Sequence, residues 1–314
     1  MLVGKSQSHL DLVGMIEKVR NVGAPVFIRG ESGTGKELVA RSIHIGGIRR
    51  NGNFVALNCS AIPEHLLESE LFGFAKGAFT GAARDKPGLI EEAHGGTFFL
   101  DEIGDLSPGL QAKLLRVIEN KEVRRVGENR MREVSTRFIS ATNKNIEDEI
   151  NRGRFREDLY YRLKIITIEL LPLRERKQDV LQIIDHFLDK YTKEMDLDPC
   201  VFSSEAIELL LDYSWPGNVR ELENEVQKCL IMCRNQREIK AEHLSDRINN
   251  RKSRRPINRY DLSRARADFE KKFVHQALMR FGYHRSRTAQ ELGLSRQGLF
   301  KLIKKHNIEI PLRT

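Results

Sequence analysis

The chain has 314 residues, of which 40% are hydrophobic and 31% are charged, with a formal net charge of +9. This length is enough for two or three domains with hydrophobic cores. No apolar run approaches the roughly 20 residues that span a bilayer, and the N-terminus lacks the apolar core of a signal peptide. We therefore expect a cytoplasmic protein. The four cysteines form no Cys-x-x-Cys pair, which gives little support to a metal or disulfide role.

The net charge is unevenly distributed along the chain. Residues 251–314 carry 17 Lys+Arg and 5 Asp+Glu, whereas the preceding residues carry 36 and 39. A basic C-terminal module on a slightly acidic body is expected of a DNA-binding appendage. The alternative is a solvated basic tail, and the helical pattern inside the segment argues against it.

Short β-rich runs alternate with amphipathic segments in the first 170 residues. Strands spaced by helical segments predict an α/β fold with a parallel sheet and crossover helices. The runs lie at residues 26–28, 54–57, 97–100, 137–140 and 165–168. The later residues lack strand patterns, and the predicted domains are an α/β subdomain at 1–172, a helical lid at 173–248, a basic linker at 249–260 and a helical domain at 261–314.

A Gly-rich loop follows the first run and precedes a helical segment, which is the context of a phosphate-binding loop. Backbone N–H groups and the helix N-terminus suit phosphate oxygens, and Lys36 adds a positive charge. The residues expected to bind ATP are Gly30, Glu31, Ser32, Gly33, Thr34, Gly35, Lys36 and Glu37. Position 37 is Glu, whereas the general motif has a Ser or Thr there, whose hydroxyl group binds the metal.

Two acids, Asp101 and Glu102, follow the run at 97–100. A strand-end Asp can hold hydrated Mg²⁺, and the following Glu is placed to orient and deprotonate an attacking water. The alternative is a strand end with solvated charges, and the phosphate-binding loop upstream argues against it. The sequence thus predicts ATP and Mg²⁺ as cofactors, with Asp101 holding the metal through water.

A third motif, Gly77-Ala78-Phe79-Thr80-Gly81-Ala82, lies between these two. The alternative is a chance turn rich in Gly and Ala, but the string resembles the signature of sigma-54-dependent transcriptional activators, the bacterial enhancer-binding proteins. The resemblance extends from about residue 3 to residue 308 and implies an AAA+ ATPase with a helical lid and a Fis-type helix-turn-helix domain. Glu is usual at position 37 in this family, so the departure there favours it.

The resemblance implies roles for three residues outside these motifs. Asn58 would hold Glu102 when the γ-phosphate is absent, and Asn143 would contact the γ-phosphate. Arg220, in the string Trp-Pro-Gly-Asn-Val-Arg, would close the lid over the phosphates.

Arg156 and Arg162 match the arginine-finger positions of the family. Each guanidinium would reach the nucleotide of the neighbouring subunit and neutralise developing charge. Hydrolysis would then need a ring, which in this family is a hexamer.

In the six-residue motif, Phe79 is expected to contact the sigma factor with support from Thr80, because an exposed apolar tip is costly without a partner. The alternative places Phe79 in the core. Phe74-Ala75 stand where His-Glu is common in the family, a departure that could weaken the coupling to nucleotide or change the partner surface. Residues 121–133, with a turn at Gly127, look like a second hairpin that supports the loop.

The C-terminal residues predict three helices. Residues 261–280 carry an apolar stripe at helical spacing. Residues 287–292 and 295–305 are predicted to form two helices joined by a tight turn. Ser295 is a good N-cap for the second of these two helices. The residues of the packed side are Ala289, Leu292, Leu294, Leu299, Leu302 and Ile303.

The outer side of the last helix is expected to enter the major groove of double-stranded DNA. Arg296 and Gln297 would read bases, and Lys301 and Lys304 would favour phosphates. The segment resembles the Fis-type helix-turn-helix, in which the first long helix also mediates dimerisation. The alternative is a helical hairpin that packs on the body or on another subunit.

Together these observations predict an ATP-hydrolysing activator that binds enhancer DNA and remodels closed complexes of sigma-54 RNA polymerase into open complexes. A nucleotide-gated DNA-binding repressor is one rival, and intact Asp101, Glu102 and residues 77–82 argue against it. Another AAA+ remodeller, such as a chelatase subunit or helicase loader, is the second, and the Fis-type end argues against it. We expect control to come either from a receiver or ligand-sensing domain outside residues 1–314 or from a separate partner, and the sequence does not distinguish the two.

Overall fold

The computed structural model describes residues 2–233, 236–249, 270, 273–274, 276–279, 281 and 283–306. The chain divides into two compact units, residues 1–249 and residues 250–314. Within the described part of the chain, no helix has the length and apolar character needed to cross a membrane.

A five-stranded parallel sheet forms the centre of the first unit. The strands of this unit are β1 (Val26–Gly30), β2 (Phe54–Asn58), β3 (Gly73–Phe74), β4 (Lys86–Pro87), β5 (Thr97–Asp101), β6 (Glu122–Arg124), β7 (Met131–Glu133), β8 (Arg137–Thr142), β9 (Ile166–Leu170), β10 (Val201–Phe202) and β11 (Glu238–Ile239). The large sheet has the spatial order β2-β5-β8-β1-β9, and its neighbouring strands are parallel. Each of the five predicted runs overlaps one strand of this sheet, so the predicted α/β fold is confirmed.

Helices cover both faces of the sheet and continue into the lid. They are α1 (Gln7–Val19), α2 (Lys36–Ile45), α3 (Glu64–Phe72), α4 (Leu89–Glu92), α5 (Pro108–Asn120), α6 (Ile146–Asn151), α7 (Glu157–Leu163), α8 (Val180–Glu194), α9 (Ser204–Asp212), α10 (Asn218–Met232) and α11 (Asp246–Asn249). Short 3-10 turns lie at Ile103–Asp105, Leu173–Glu175, Lys177–Asp179 and Ala241–His243.

Side chains that alternate along the strands build a separate core on each face of the sheet. In β1, Phe27 belongs to one core, together with Phe98 and Leu114. Its neighbours Val26 and Ile28 belong to the other core, which α1 and α2 cover. β8 is buried at all six positions, as expected of a central strand covered on both faces. The carboxyl ends of the strands therefore form a fixed edge.

The lid packs α8, α9 and α10 around Trp215, which is 1% exposed. The prediction that residues 173–248 lack strands is wrong in one detail, because β10 and β11 form a short parallel pair there.

The second unit contains a helical pair, α12 (Arg285–Glu291) and α13 (Arg296–Lys305). Ala289 and Leu299 are buried between these helices, and the other members of the predicted packed side that contact them are Leu292, Leu302 and Ile303. Leu294 is 37% exposed, so its predicted place in this core is wrong; it lies in the turn after Gly293, which has a φ of 64°. Residues 250–269, 271–272, 275 and 280, which include most of the predicted linker and more than half of the predicted long helix, lie outside the described residues.

Candidate functional site

The Gly-rich loop joins the end of β1 to the start of α2. Gly33 and Gly35 have φ values of 77° and 102°, in the left-handed region that favours glycine. Space is a second constraint at Gly33, because an added Cβ would lie 2.3 Å from the carbonyl oxygen of Gly217 in the lid. The loop can therefore turn directly into α2, whose N-terminus suits an anion.

Lys36 and Glu102 form an ion pair at the centre of the site. Lys36 is 6% exposed, and its Nζ lies 3.2 Å from Oε1 of Glu102 and donates to the carbonyl oxygen of Gly30 at 3.1 Å. Oε2 of Glu102 accepts a hydrogen bond from the backbone N–H of Asn143 at 3.1 Å. Glu102 also has a φ of 53°, in the left-handed region that non-glycine residues seldom adopt. Both carboxylate oxygens of Glu102 are thus held at the sheet edge.

Asp101 lies beside Glu102 at the end of β5. Burial raises the pKa of Asp101, the charge on Lys36 opposes that shift, and the charge on Glu102 adds to it. A divalent cation would lower this pKa again. Mg²⁺ commonly takes one or two carboxylates together with waters and phosphate oxygens, so the chemistry of Asp101 fits the predicted metal.

Asn58 lies directly opposite Asp101, at the end of β2. Its Oδ1 accepts hydrogen bonds from the backbone N–H and the Oγ of Ser60 at 2.9 and 2.7 Å. Glu102 is instead held by Lys36 and Asn143. The predicted contact between Asn58 and Glu102 would therefore need a different arrangement, and the role of Asn58 stays a prediction.

These residues line one cavity of about 820 Å³ between the sheet edge and the lid. The predicted residues in its lining are Ser32, Gly33, Thr34, Gly35, Lys36, Glu37, Asn58, Asp101, Glu102, Asn143 and Arg220. Gly30 and Glu31 are the members of the predicted ATP-binding loop that do not line it. The volume is within the range of sites that hold nucleotide-sized ligands.

Asn218 joins the Gly-rich loop to the lid, and the sequence analysis did not identify it. It is fully buried and has a φ of 53°. Its Nδ2 donates to the carbonyl oxygen of Ser32 at 2.9 Å and to Glu31 at 3.2 Å, and its Oδ1 accepts from the N–H of Leu173 at 2.8 Å. One feature of the sequence could have indicated a special role for Asn218. It directly follows Pro216-Gly217, and Asn is a residue that tolerates the left-handed conformation in turns.

Glu31 faces the lid rather than the cavity. Its carboxylate accepts two hydrogen bonds from Arg174, at 2.6 and 2.8 Å. The hydrogen bonds from Arg174 and then from Asn218 hold the pKa of Glu31 below its usual range. The side chain therefore helps to tie the loop to the lid.

Arg176 is a further cation that lines the cavity and that sequence reasoning missed. Its guanidinium donates to the carbonyl oxygen of Thr34 at 3.2 Å. Burial lowers the pKa of Arg176, and the neighbouring charge of Asp179 opposes that shift. The lid thus contributes two arginines to the cavity, Arg176 and Arg220.

Arg156 and Arg162 do not line the cavity of their own chain. Arg156 pairs with Asp158 at 2.6 Å, and Arg162 lies 3.7 Å from Glu119. Both arginines are exposed. This placement is compatible with the predicted action on a neighbouring subunit.

The motif at residues 77–82 forms a tight loop between β3 and β4. The N–H of Gly77 donates to the carbonyl oxygen of Ala82 at 2.9 Å, and the N–H of Ala82 donates to that of Phe79 at 3.0 Å. Phe79 is 46% exposed, so the alternative that places it in the core is wrong. Its ring contacts Phe74, with the ring centroids 4.9 Å apart.

The predicted second hairpin is confirmed, since β6 and β7 pair in antiparallel register. The carbonyl oxygen of Val126 accepts a hydrogen bond from the N–H of Ala75 at 2.9 Å. This bond joins the hairpin to the segment that leads into the loop at residues 77–82. Gly127 has a φ of 78°, and an added Cβ there would lie 2.6 Å from the Cβ of Ala78. The hairpin therefore supports the loop through close backbone contacts.

The predicted DNA-contacting residues Arg296, Gln297, Lys301 and Lys304 are all exposed on α13. The Oγ of Ser295 accepts from the N–H of Gly298 at 3.0 Å, which confirms the predicted N-cap. The structure thus presents a basic helix face, and the assignment of individual residues to bases or phosphates stays a prediction.

A phosphate-binding loop on a parallel sheet, a Lys–Glu pair at the strand ends and a lid over the cavity define an AAA+ nucleotide-binding protein. Residues 2–169 match the family described as "Sigma-54 interaction domain", residues 174–259 match "AAA+ ATPase lid domain", and residues 265–306 match "Bacterial regulatory protein, Fis family". The chain therefore belongs to the sigma-54-dependent transcriptional regulators and carries their Fis-type helix-turn-helix. This confirms the resemblance found in the sequence.

Similar proteins cover most of the chain. The transcriptional regulatory protein ZraR of Escherichia coli (strain K12) is 41% identical over 307 residues, which cover 97% of this chain and 68% of ZraR. The Nif-specific regulatory protein of Azospirillum lipoferum is 48% identical over 248 residues, covering 79% and 39%. The crystal structure of NtrX from Brucella abortus in complex with ATP has a TM-score of 0.77 and 34% identity, covering 98% of this chain and 70% of NtrX.

Proposed function

We propose that this protein is an ATP-hydrolysing activator that binds enhancer DNA and remodels closed complexes of sigma-54 RNA polymerase into open complexes. The observation that carries the proposal is the joint presence of the Lys36–Glu102 pair in a nucleotide-sized cavity and an exposed Phe79 on a loop of the same unit. Within it, residues 1–172 and 173–248 would form the ATPase and its lid, residues 249–260 a linker, and residues 261–314 the DNA-binding domain.

The chain's own groups supply the parts that phosphoryl transfer to water needs. Lys36 would exchange part of its contact with Glu102 for phosphate oxygens, which frees Glu102 to orient and deprotonate the attacking water. Asp101 would hold Mg²⁺ through water, and the metal would supply neutralisation of phosphate charge. Arg220 and Arg176 line the lid side of the cavity, where their charges suit the same phosphates.

Movement of the loop would follow from a change in the partners of Glu102. Its two oxygens now contact Lys36 and the N–H of Asn143, and Asn58 lies across from the neighbouring Asp101. Transfer of Glu102 between the nucleotide and Asn58 would bias two arrangements of the sheet edge and raise or lower the loop at residues 77–82.

The proposed assembly is a ring, with six subunits as in the family, that pairs further through the C-terminal domains. Arg156 and Arg162 lie away from their own cavity, so a second chain would be needed to complete each site. Double-stranded enhancer DNA would contact α13, and no membrane is involved in the proposal.

The test separates hydrolysis from remodelling. Phe79→Ala should hydrolyse ATP at close to the wild-type rate but fail to produce open complexes at a sigma-54 promoter, because the removed ring does not line the nucleotide cavity and its contacts are confined to the loop and the partner. The matched variant Glu102→Gln should bind nucleotide while its turnover falls by about 10²- to 10⁴-fold. Phosphate release and DNA-strand opening are measured on the same preparations.

Full stimulation of open-complex formation by Phe79→Ala would remove Phe79 from the contact. If the wild-type chain bound DNA and hydrolysed ATP but opened no sigma-54 promoter, the repressor function would replace the proposed one.

A further inference from the structure

The tip residue Phe79 rests on a second aromatic ring at the base of the same loop. The ring centroids of Phe79 and Phe74 are 4.9 Å apart and the planes meet at 60°. An edge-to-face arrangement of this kind is attractive beyond the area it buries. It leaves Phe79 46% exposed, so the ring is partly covered and still reachable.

Phe74 is fixed by backbone pairing on both sides. In β3 it pairs with Lys86 of β4, and on the other side it forms a bridge with Val126 of the second hairpin. The N–H of the next residue, Ala75, donates to the carbonyl oxygen of Val126 at 2.9 Å. The backbone that carries the Phe74 ring is therefore paired on both sides, and this paired backbone is the base of the loop.

The tip is attached to this base through two glycines in the left-handed conformation. Gly77 and Gly81 have φ values of 80° and 104°, and nothing lies within 4 Å of a Cβ added to either. Glycine is therefore required there by conformation rather than by packing. A change of backbone angles at these two points would move Phe79 without disturbing the base.

We propose that Phe74 is a positioning residue that keeps Phe79 folded on the loop base, so that Phe79 must leave Phe74 before it contacts the sigma factor. The inference rests on the proposed function of Phe79. The face of Phe79 that meets Phe74 is not available to a partner while the rings touch. A ring pair of this type shifts a local equilibrium by about two- to tenfold, and the affinity for a partner falls with the fraction of the released form.

This role is specific to the residue that stands at position 74. Residues 74 and 75 of this chain are Phe and Ala, and neither side chain carries a charge. The apolar ring of Phe74 holds the tip through direct contact, which would reduce association with the sigma factor before ATP is used.

A double-mutant cycle on the protein alone tests the ring contact. The readout is hydrogen exchange of the Gly77 and Ala82 amides, both of which are hydrogen-bonded within the loop. Phe74→Ala and Phe79→Ala should each raise exchange by about two- to tenfold, and the double variant should exchange no faster than the faster single one. Phe74→Leu, which keeps apolar bulk at the base, should have a smaller effect.

Additive effects in this cycle, or no effect of Phe74→Ala, would overturn the inference, because a merely structural Phe74 would act without Phe79. Arg84→Ala, an exposed change in the same segment, serves as the control and should leave the exchange of both amides unchanged.

Association with purified sigma-54 then links the contact to function. Phe74→Ala should bind sigma-54 about two- to tenfold more tightly than wild type without nucleotide, with a smaller gain in the presence of an ADP–metal-fluoride transition-state mimic. Weaker binding by Phe74→Ala in both conditions would overturn the inference. If the wild-type chain bound sigma-54 in neither condition, the proposed function would fail, while the exchange cycle would still decide the role of Phe74.

Discussion

Asp179 is a fully buried carboxylate that fixes the N-terminal segment to the lid. It accepts hydrogen bonds from the backbone N–H groups of Lys5 and Ser6 at 2.8 and 2.7 Å and from the Oγ of Ser6 at 2.7 Å. Burial raises the pKa of Asp179, but these hydrogen bonds and the charge on Arg176 outweigh it, so the pKa lies below its ordinary value. The ionised form is therefore the one that holds residues 5 and 6 near the cavity.

We expect Asp179→Asn to lower the free energy of unfolding by about 1–3 kcal/mol at pH 7, because a charged acceptor of several hydrogen bonds is lost. The pKa of Asp179 is lower in the folded than in the unfolded protein. The higher free energy of unfolding of the wild type is therefore fully present above the ordinary carboxyl pKa and is lost as the pH falls through the pKa of the folded state. Denaturant unfolding of both proteins between pH 7 and about pH 3 measures this difference.

The exposed neighbour Glu175 provides the control for that series. Glu175→Gln should change the free energy of unfolding by less than about 0.5 kcal/mol at each pH, as surface substitutions usually do. A wild-type advantage over Asp179→Asn that grew as the pH fell would contradict the assigned direction of the pKa.

Site residues that belong to a local sequence motif could be predicted from the sequence. Site residues whose role depends on a contact with a distant part of the chain could not. Lys36, Asp101 and Glu102 occupy a loop and a strand end, whose position follows from short apolar runs and glycines. Asn218 contacts Ser32, 186 residues away in the chain, and nothing local gives the direction of its side chain. The contact of Phe79 with Phe74 is near in sequence but depends on how the two glycines turn the loop.

At the scale of elements, the helix α13 followed closely from the sequence because its signals are local. Ser295 caps it, and apolar residues repeat at helical spacing. The prediction failed at Leu294, which precedes the helix. Periodicity placed Leu294 in the core, but the chain turns at Gly293 with a φ of 64°, and this turn directs the next residues away.

Two exposed positions on α13 should have different effects on DNA binding. Arg296, at the first turn, is expected to read a base, so Arg296→Ala should lose about 1–3 kcal/mol of discrimination at one base pair. Lys304, near the other end, is expected to contact phosphate, so Lys304→Ala should weaken binding to all sequences and reduce the salt slope by about 1.

Selection of a preferred DNA site with the wild-type chain comes first, and the affinity of each variant is then measured for that site and for a scrambled duplex over a range of salt concentrations. If both variants lost affinity by the same factor on both duplexes, the assignment of Arg296 to a base and of Lys304 to a phosphate would be wrong.

At the scale of the whole molecule, one chain contains only part of the proposed catalytic machinery. The cavity brings together Lys36, Asp101, Glu102 and Arg220, whereas Arg156 pairs with Asp158 on the outside of the same unit. The sequence could place Arg156 only by resemblance, because no local pattern distinguishes an arginine that serves another chain from an ordinary surface arginine. The structure places Arg156 apart from the residues that line the cavity, so the requirement for a neighbouring subunit can be tested.

Mixing two inactive variants tests whether Arg156 acts on the neighbouring subunit. Lys36→Ala damages its own cavity but keeps Arg156, and Arg156→Ala keeps its own cavity. An equimolar mixture should regain roughly a quarter of the wild-type ATP hydrolysis, the random chance of the productive neighbour order in a head-to-tail ring, and the activity should rise with protein concentration. Lys36→Ala mixed with Arg220→Ala should stay inactive, because Lys36 and Arg220 line the same cavity. Equal recovery in both mixtures, or none in the first, would contradict action across the interface.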